Sequence, residues 1–484
     1  MVFNSLTFIV FFIILLIFHN LPLPWKVKKV NLLLASYIFY AAWNPVFILL
    51  LWLSTVVDYF VGKALYHQED PVKKKLLLVI SLIGNLGMLC FFKYGGFLLE
   101  NFVNLVNLFG LDFHPAEPNI ILPAGISFYT FTTLCYTIDM YRKESKPVES
   151  LLDFSLFVTF FPHLVAGPIV RPPQLVPQFE SPRSATRSQF IDGLFLLSLG
   201  LFMKVVLADT FLAPTANSVF DATESLHFLD AWFGVFAFSG QIFFDFAGYS
   251  TCAIGVASCL GFVLPQNFWY PYAAIGFSDF WKRWHITLSQ WLRDYLYIPL
   301  GGNKDGNFKT YVNLMITMLL GGLWHGASWT FVVWGGLHGL YLAVERWMKT
   351  KFPGDETSAR MMVNQLNTHT FFSINFLKAL GTFILINITW VFFREQEFSG
   401  AWQMLHSMFD FSFQGKAIVG YVAMIKIGMI TAFMLIFHWM FRNTQVLTES
   451  RKWPWWFTGA LWAVMVLLIF LSQESTSSFI YFQF

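Results

Sequence analysis

The sequence predicts an all-α polytopic membrane protein. Its composition and the spacing of its charges both lead to this prediction. Of 484 residues, 56% are apolar and only 12% are Asp, Glu, Lys or Arg, whereas about 25% of residues in soluble domains are charged. The charges also occur in groups, and they leave long uncharged stretches at residues 3–25, 30–57, 76–92, 246–278, 310–344, 379–393 and 453–473.

The length of these stretches sets the number of membrane segments. A helix needs about 20 mostly apolar residues to cross the hydrocarbon layer of roughly 30 Å, and on this basis we expect about ten to twelve segments, some of them re-entrant. Residues 30–68 hold two crossings joined near Asn44 and Pro45. A soluble fold of this composition would expose an implausibly large apolar surface. With no linker, repeat or low-complexity tract, residues 1–484 are predicted to form a single domain.

The basic residues predict the orientation in the bilayer. The net charge of +3 is too small to suggest nucleic-acid binding. Basic residues collect at Lys26/Lys28/Lys29, Lys73/Lys74/Lys75, Arg142/Lys143/Lys146, Lys282/Arg283/Arg293/Lys304 and Arg346/Lys349/Lys351. Short loops with such clusters lie in the cytoplasm. Because the first two clusters flank two crossings, the N-terminus is expected outside. Residues 1–21 have no basic n-region or cleavage site and are predicted to be a retained first helix.

Several classes of chemistry have no support in the sequence. The four cysteines lie in apolar segments without zinc-type spacing, and we expect them to be buried apolar residues. No HxxxH or HExxH pair occurs, so no metal site is expected. There is also no P-loop, GxGxxG or GxSxG motif. The sequence therefore predicts neither a bound cofactor nor a metal.

His325 is the strongest catalytic candidate. It lies near the middle of the uncharged stretch 310–344, which as one helix would be about 52 Å long at 1.5 Å per residue, well beyond the bilayer core. Gly321, Gly322 and Gly326 are expected to break the helix around it. The chain would then enter, turn near His325 and return. Irregular backbone at membrane depth occurs only where protein buries it or a wet cavity is present, and an ionisable residue there indicates a functional site.

Other polar residues form a second tier of candidates. His285 follows Lys282 and Arg283 and lies one helical turn before Ser289; it is predicted to lie on the donor side, at the inner mouth of a tunnel. Nearby cations would suit the phosphates of a nucleotide or phosphopantetheine carrier. They would equally suit anionic lipid headgroups. The low-priority donor-binding candidates are Lys282, Arg283, Ser289, Arg293 and Asn303, and the further candidates are His163, Trp324 and Asp245. His338 is predicted to be a packed core histidine.

Several sequence motifs, taken in order, resemble the membrane-bound O-acyltransferase family, and within it the bacterial alginate O-acetyltransferase branch. They are Asp58-Tyr59, FFKYGGF (91–97), LPAGISFYTF (122–131), FFPHLVAGPIVRP (160–172), FFDFAGYS (243–250), NFWYPY (267–272), DFWKRWHITLSQWLRDYLYIPLGGNK (279–304), GGLWHGASW (321–329) and FIYFQF (479–484). The resemblance covers nearly the whole chain. It implies a helical bundle around a central tunnel, with His325 as the catalytic histidine and His285 as a second important position. Lys282 departs from the arginine common in that branch.

The resemblance also implies a reaction. A thioester donor, acetyl-CoA or an acyl-carrier thioester, would enter from the cytoplasm near His285, and a hydroxyl would reach His325 from outside. Acyl transfer to a hydroxyl needs a base, and a neutral imidazole suits that task near pH 7. The acetyl group is expected to reach an extracytoplasmic polysaccharide such as alginate or another exopolysaccharide, through a periplasmic partner transferase, from a bacterial inner membrane.

Two alternatives remain open from the sequence. The first is D-alanyl transfer to teichoic acid, which is the same reaction class with a different acyl group and requires a carrier protein as partner. The second is a transporter or flippase for an acylated carrier. Such transporters have paired broken helices in two related halves, whereas this sequence shows one strong break, at His325. The acceptor polymer is not determined by these residues.

Overall fold

The structure is a computed structural model that describes residues 1–116, 118–352, 373–412 and 414–472. Throughout this part of the chain, helices are the regular structure, and two residues, Leu226 and Lys416, form an isolated β-bridge. The predicted all-α class is therefore confirmed. The terminal motif FIYFQF lies outside the described residues.

The described chain divides into two compact units, of which the first comprises Met1–Leu201 and Gly248–Gln266. Its helices are Leu6–Asn20, Trp25–Ala41, Pro45–Phe47, Ile48–His67, Pro71–Leu89, Cys90–Tyr94, Gly95–Leu108, Ile126–Arg142, Leu151–Thr159, Phe161–Leu164, Pro172–Glu180 and Arg187–Leu201. The chain turns at Asn44 and Pro45, as predicted, because the Asn44 side chain accepts a hydrogen bond from the Val46 amide and Pro45 opens a short 3-10 turn.

The second unit comprises Phe202–Ala247 and Asn267–Phe484. Its helices are Phe202–Leu212, Ala213–Phe220, Pro271–Ala273, Phe277–Trp281, Ile286–Leu292, Arg293–Tyr297, Asn307–His325, Trp329–Lys351, Ile374–Arg394, Phe398–Phe409, Tyr421–Phe441, Val446–Ser450 and Trp455–Leu471. The long helix Phe228–Cys259 contributes residues to both units. The two leading candidate histidines, His285 and His325, belong to the second unit.

Among the described residues, six helices are long and apolar enough to cross a membrane. They are Pro45–His67, Pro71–Leu108, Arg187–Phe220, Phe228–Cys259, Ile374–Arg394 and Tyr421–Phe441. Two shorter apolar helices, Leu6–Asn20 and Trp455–Leu471, add to them. The protein is therefore a polytopic membrane protein. The expected total of about ten to twelve segments stays a prediction, because the others would have to be shorter or re-entrant elements.

A buried carboxylate stabilises the first unit at membrane depth. Asp58 accepts a hydrogen bond of 2.6 Å from Ser81 and one of 2.7 Å from Asn85. The Asn85 oxygen in turn accepts hydrogen bonds from Ser54 and Thr133. These residues come from three different helices. Because a polar group buried away from water is costly unless it is hydrogen-bonded, this network ties the three helices together.

Cys90 departs from the prediction that every cysteine is buried. Cys135, Cys252 and Cys259 are buried, but Cys90 is exposed. It begins the π-helical turn Cys90–Tyr94 in the middle of the span Pro71–Leu108. An apolar thiol on the outer face of a membrane helix meets lipid, which does not penalise its exposure.

Candidate active site

The predicted break at His325 is a helical hairpin. Helix Asn307–His325 ends at the histidine, Gly326 is extended, and the next helix begins at Trp329. We call the helices Asn307–His325 and Trp329–Lys351, with the turn between them, the histidine hairpin. The turn is capped because the Ser328 hydroxyl accepts a hydrogen bond from the Thr330 amide. The turn that the sequence predicted near His325 is therefore present, and the path of the hairpin into and out of the membrane stays a prediction.

Glycines bring the two helices of the histidine hairpin into backbone contact. A Cβ atom at Gly322 would lie 2.2 Å from the carbonyl oxygen of Phe331, and one at Gly335 would lie 2.2 Å from that of Met318. Contacting residues therefore have increasing residue numbers along one helix and decreasing residue numbers along the other, so the two helices are antiparallel. Gly322 lies inside the helix, so its role differs from the predicted helix break: it permits close packing. Gly321 is helical as well.

His325 is buried in a cage of aromatic rings. Its side chain lies at the last residue of the first hairpin helix and has 3% exposure. The imidazole centroid is 4.9 Å from that of Trp324, 5.0 Å from that of Trp334 and 5.3 Å from that of Phe393. All three rings meet it edge-on. The cage excludes bulk water from one side of the imidazole and fixes its orientation.

His285 is held by its backbone conformation and by one amide side chain. It adopts the left-handed conformation, with φ 41°, and immediately precedes helix Ile286–Leu292. Few residues other than glycine adopt this region, and such strain clusters at functional sites. The His285 ring nitrogen Nδ1 lies 3.1 Å from Oδ1 of Asn267. The backbone amide of Ile286 donates to the Asn267 carbonyl. Asn267 therefore anchors this turn twice.

The ring of Trp324 contacts both histidines. The His285 centroid is 6.0 Å from that of Trp324, whose other neighbour is His325. Phe246 lies against His285 with a centroid distance of 4.7 Å. His285 is completely buried, and this burial lowers the pKa of its imidazole to about 3. His285 is outside the six spanning helices and is neutral near pH 7. The structure thus brings His285 to the consecutive residues Trp324 and His325, about 40 positions further along the sequence.

Arg283 is engaged within the protein rather than directed at His285. Its guanidinium donates to the Asp279 carboxylate over 2.8 Å and to the Arg442 carbonyl over 2.8 Å. The indole of Trp269 donates to that same carbonyl. These bonds join the segment before His285 to the end of helix Tyr421–Phe441. Arg283 is therefore part of a structural clamp.

The remaining donor-binding candidates differ in how much of each side chain is exposed on the protein surface. Lys282 and Asn303 are exposed. Arg293 is also largely exposed and forms an ion pair of 2.6 Å with its neighbour Asp294. Ser289 is partly buried and donates to the Trp284 carbonyl. Exposed cations of this kind suit the phosphates of a donor and those of anionic lipid headgroups alike.

Asp245 belongs to a buried ion network. Lys204 lies 2.9 Å from a carboxylate oxygen of Asp245 and 2.9 Å from one of Asp209. Lys204 and Asp209 are five residues apart in the π-helical segment Phe202–Leu212, and the π-helix brings such residues to one face. The three side chains are at most 9% exposed. Asp245 is therefore ion-paired one residue before Phe246, which contacts His285.

The other two histidines occupy different surroundings. His163 is buried in the first unit, in the short helix Phe161–Leu164, with its ring 6.1 Å from that of Phe160. His338 lies in the second hairpin helix, where its Nε2 is 3.1 Å from the Thr389 hydroxyl. The Trp334 ring contacts both His338 and His325. A hydrogen bond to a neighbouring helix is what a packed core histidine requires.

Sequence reasoning missed four residues that form this cluster: Asn267, Phe246, Trp334 and Phe393. Asn267 opens the motif NFWYPY, so a polar residue beginning an otherwise aromatic stretch was a usable signal. The other three are aromatic residues in a chain with 58 phenylalanines and 19 tryptophans. Only the fold shows which of them meet a histidine.

Comparison with known proteins shows the family of the chain. Residues 141–393, which contain both hairpin helices and His285, match the model of the membrane-bound O-acyltransferase family. A probable alginate O-acetylase from Pseudomonas aeruginosa is 40% identical over 412 residues, covering 85% of this chain and 75% of that protein. A peptidoglycan O-acetyltransferase from Helicobacter pylori is 35% identical, covering 94% and 91%. A teichoic acid D-alanyltransferase from Streptococcus thermophilus is 29% identical, covering 54% and 65%.

These observations define an integral membrane acyltransferase with two buried histidines around one indole. The chain belongs to the membrane-bound O-acyltransferase family. The resemblance found in the sequence motifs is thereby confirmed. Because the family consists of acyltransferases, the transporter alternative loses its support.

Proposed function

We propose that this protein moves an acetyl group from a cytoplasmic thioester across the membrane for O-acetylation of an extracytoplasmic polysaccharide. The observation that carries this proposal is that the indole of Trp324 contacts the imidazoles of both His285 and His325. Two imidazoles within one buried aromatic cluster can serve substrates that arrive from opposite directions. The relatives named alginate O-acetylase and peptidoglycan O-acetyltransferase support acetyl as the acyl group and a polysaccharide as acceptor.

In the proposed reaction, His325 acts as the general base. An acceptor hydroxyl oxygen attacks the thioester carbonyl carbon, and a C–O bond forms while the hydroxyl proton passes to the His325 imidazole. The C–S bond then breaks, and the thiolate leaves with that proton as a thiol. The imidazole returns to its neutral form. A positioned base contributes about 10²–10⁴-fold to such a step.

The proposed route is a tunnel through a bacterial inner membrane. The basic clusters around Lys74 and Lys304 face the cytoplasm, and the N-terminus faces outside. Acetyl-CoA, or an acyl-carrier thioester, enters on the His285 side. Its phosphates meet exposed cations such as Lys282 and Arg293. The acceptor hydroxyl comes from a polysaccharide, or from a periplasmic partner acetyltransferase that passes the acetyl group to the polymer.

The test uses the purified protein in liposomes with radiolabelled acetyl-CoA. Acceptors are oligosaccharides from alginate, cellulose and peptidoglycan, each supplied with and without a periplasmic extract of the source cells. We expect label on one acceptor class with the wild type and none with His325→Ala at matched protein levels. Parallel reactions carry acetyl- or D-alanyl-loaded carrier protein. Transfer of D-alanine alone would contradict the acetyl proposal, and full transfer by His325→Ala would contradict the site.

A further inference from the structure

Asn267 has a fixed orientation beside His285. Its Oδ1 atom lies 3.1 Å from Nδ1 of His285, 2.9 Å from the Thr287 hydroxyl oxygen and 3.3 Å from the Thr287 backbone nitrogen. A backbone N–H can only donate a hydrogen bond. The atom of the Asn267 amide that faces Thr287 must therefore be the oxygen, and the same oxygen faces His285.

This orientation determines which ring nitrogen of His285 carries the hydrogen. An amide oxygen only accepts, so Nδ1 of His285 must donate to Asn267. In a neutral imidazole, one nitrogen bears the hydrogen and the other bears a lone pair. Nε2 of His285 is then the lone-pair nitrogen. The partner of one ring nitrogen commonly sets the chemistry of the other in this way.

We propose that Asn267 is a positioning residue that keeps His285 in its Nδ1–H tautomer, so that Nε2 accepts a hydrogen bond from the substrate. This inference rests on the proposed function, which places His285 in the acyl-transfer site. It restricts what His285 can do. A neutral His285 held in this way cannot donate from Nε2 to the carbonyl oxygen of the thioester. It acts as an acceptor toward a substrate O–H or N–H group.

The surroundings of His285 support a neutral ring. The rings of Phe246, Phe268 and Trp324 pack around it, and none of them titrates. The charged groups on neighbouring elements are engaged with one another, Asp245 with Lys204 and Arg283 with Asp279.

Trp324, which packs against His285, also contacts one titratable side chain, that of His325. Burial is the cause that lowers the pKa of His285.

The first test replaces Asn267 by aspartate. Asn267→Asp keeps an oxygen acceptor for Nδ1 and for Thr287, but adds a negative charge beside the ring. An opposite charge at this distance raises a histidine pKa by about 1–3 units. His285 can accept a hydrogen bond through Nε2 only while that nitrogen is unprotonated, so the acid limb of the turnover-versus-pH profile should move to higher pH. Asn267→Leu removes the acceptor and should lower kcat more than it changes the donor KM.

Thr287→Val is the matched control. It deletes one hydrogen bond to Asn267 and leaves both the Thr287 backbone N–H and the His285 contact in place. A purely structural role for Asn267 predicts that all three variants lose thermal stability and keep the wild-type pH profile. The positioning role predicts that Thr287→Val keeps the profile while Asn267→Asp shifts it. An unshifted acid limb in Asn267→Asp, with His285→Gln inactive, would overturn the proposal.

A second measurement does not depend on activity. Nitrogen-15 spectra of histidine-labelled protein distinguish the two tautomers. Resonances that are present in the wild-type spectrum and absent from that of the His285→Gln variant belong to His285. We expect a protonated Nδ1 in the wild type and a changed tautomer balance in Asn267→Leu. A protonated Nε2 in the wild type would overturn the tautomer assignment. Full turnover by His285→Gln would instead refute the proposed function of His285, while the spectrum still tests Asn267.

Discussion

The imidazole of His325 packs edge-on against the indole of Trp334, with 5.0 Å between their ring centroids. Trp334 also contacts His338, at 4.6 Å, so one tryptophan touches two histidines of the same hairpin. The two histidines differ in their partners. His338 lies within hydrogen-bond distance of Thr389 on the neighbouring helix. His325 lies at the hairpin turn beside Trp324, and the Trp324 ring also contacts His285.

This difference predicts opposite outcomes for two matched substitutions. His325→Gln should abolish acetyl transfer, since an amide does not accept a proton near neutral pH and a general base contributes about 10²–10⁴-fold. His338→Gln should keep turnover, because an amide can still bond Thr389. An interhelical hydrogen bond in a membrane is worth about 0.6–2 kcal/mol, which limits its loss of stability. The measurements are acetyl content of the polymer and Tm of each purified variant. Substantial acetylation by folded His325→Gln would rule out the base role.

The orientation can be tested by cysteine labelling. Cys90 is exposed, so all four native cysteines are first replaced. Single cysteines at Val2, Lys74 and Lys304 are then treated with an impermeant maleimide in intact spheroplasts. Position 2 should react at once, whereas positions 74 and 304 should react only after permeabilisation. Strong labelling at position 304 from outside would reverse the orientation and remove His285 from the donor side.

The donor side can be tested with Lys282→Ala. Lys282 is exposed, so one such cation should change the KM for acetyl-CoA by at most about fivefold, the size of a screened surface interaction. The effect should shrink as salt is added. Arg283→Ala is the matched comparison, since Arg283 is bound to Asp279 and the Arg442 carbonyl and its loss should lower Tm instead. A salt-independent effect of Lys282→Ala would argue against a phosphate contact.

Two adjacent glycines test the packing of the histidine hairpin. A Cβ at Gly335 would lie 2.2 Å from the backbone oxygen of Met318, whereas one at Gly336 would meet Leu319 at an ordinary 3.4 Å. Gly335→Ala should therefore destabilise the protein by about 1–3 kcal/mol, the usual cost of overpacking. Gly336→Ala should be neutral or slightly stabilising, because alanine favours a helix over glycine by about 1 kcal/mol. Equal Tm values for the two variants would contradict the close helix contact.

The buried carboxylates around Lys204 should make the stability of the protein depend on this lysine. Lys204→Met leaves Asp209 and Asp245 buried without their cation, and breaking a buried pair in this way costs about 3–5 kcal/mol. The triple variant Lys204→Met/Asp209→Asn/Asp245→Asn removes every charge and should recover most of the stability. Thermal melts in detergent check both. A Lys204→Met protein as stable as the wild type would show that the carboxylates do not depend on the lysine.

Much of the fold could be predicted because membrane signals are local in sequence. Uncharged stretches predicted several of the spanning helices, and Asn44-Pro45 predicted the first turn. The spanning helices Arg187–Phe220 and Tyr421–Phe441 contain charged residues and lie outside those stretches. The break at His325 followed from a stretch too long for one crossing. Other features depended on distant partners. Gly322 was expected to break a helix, yet it packs against the backbone of Phe331. A glycine's own sequence context does not distinguish these two roles.

The sequence by itself determined the class of protein, the membrane setting, the position of the hairpin turn and the two histidines of interest. Hydropathy, charge spacing and motif order carry that information residue by residue. Only the tertiary structure decided that Trp324 contacts both His285 and His325 and that the Asn267 amide oxygen lies against Nδ1 of His285. These contacts join segments separated by loops whose paths no local pattern specifies. The packing of side chains from several helices therefore determines the geometry of the site.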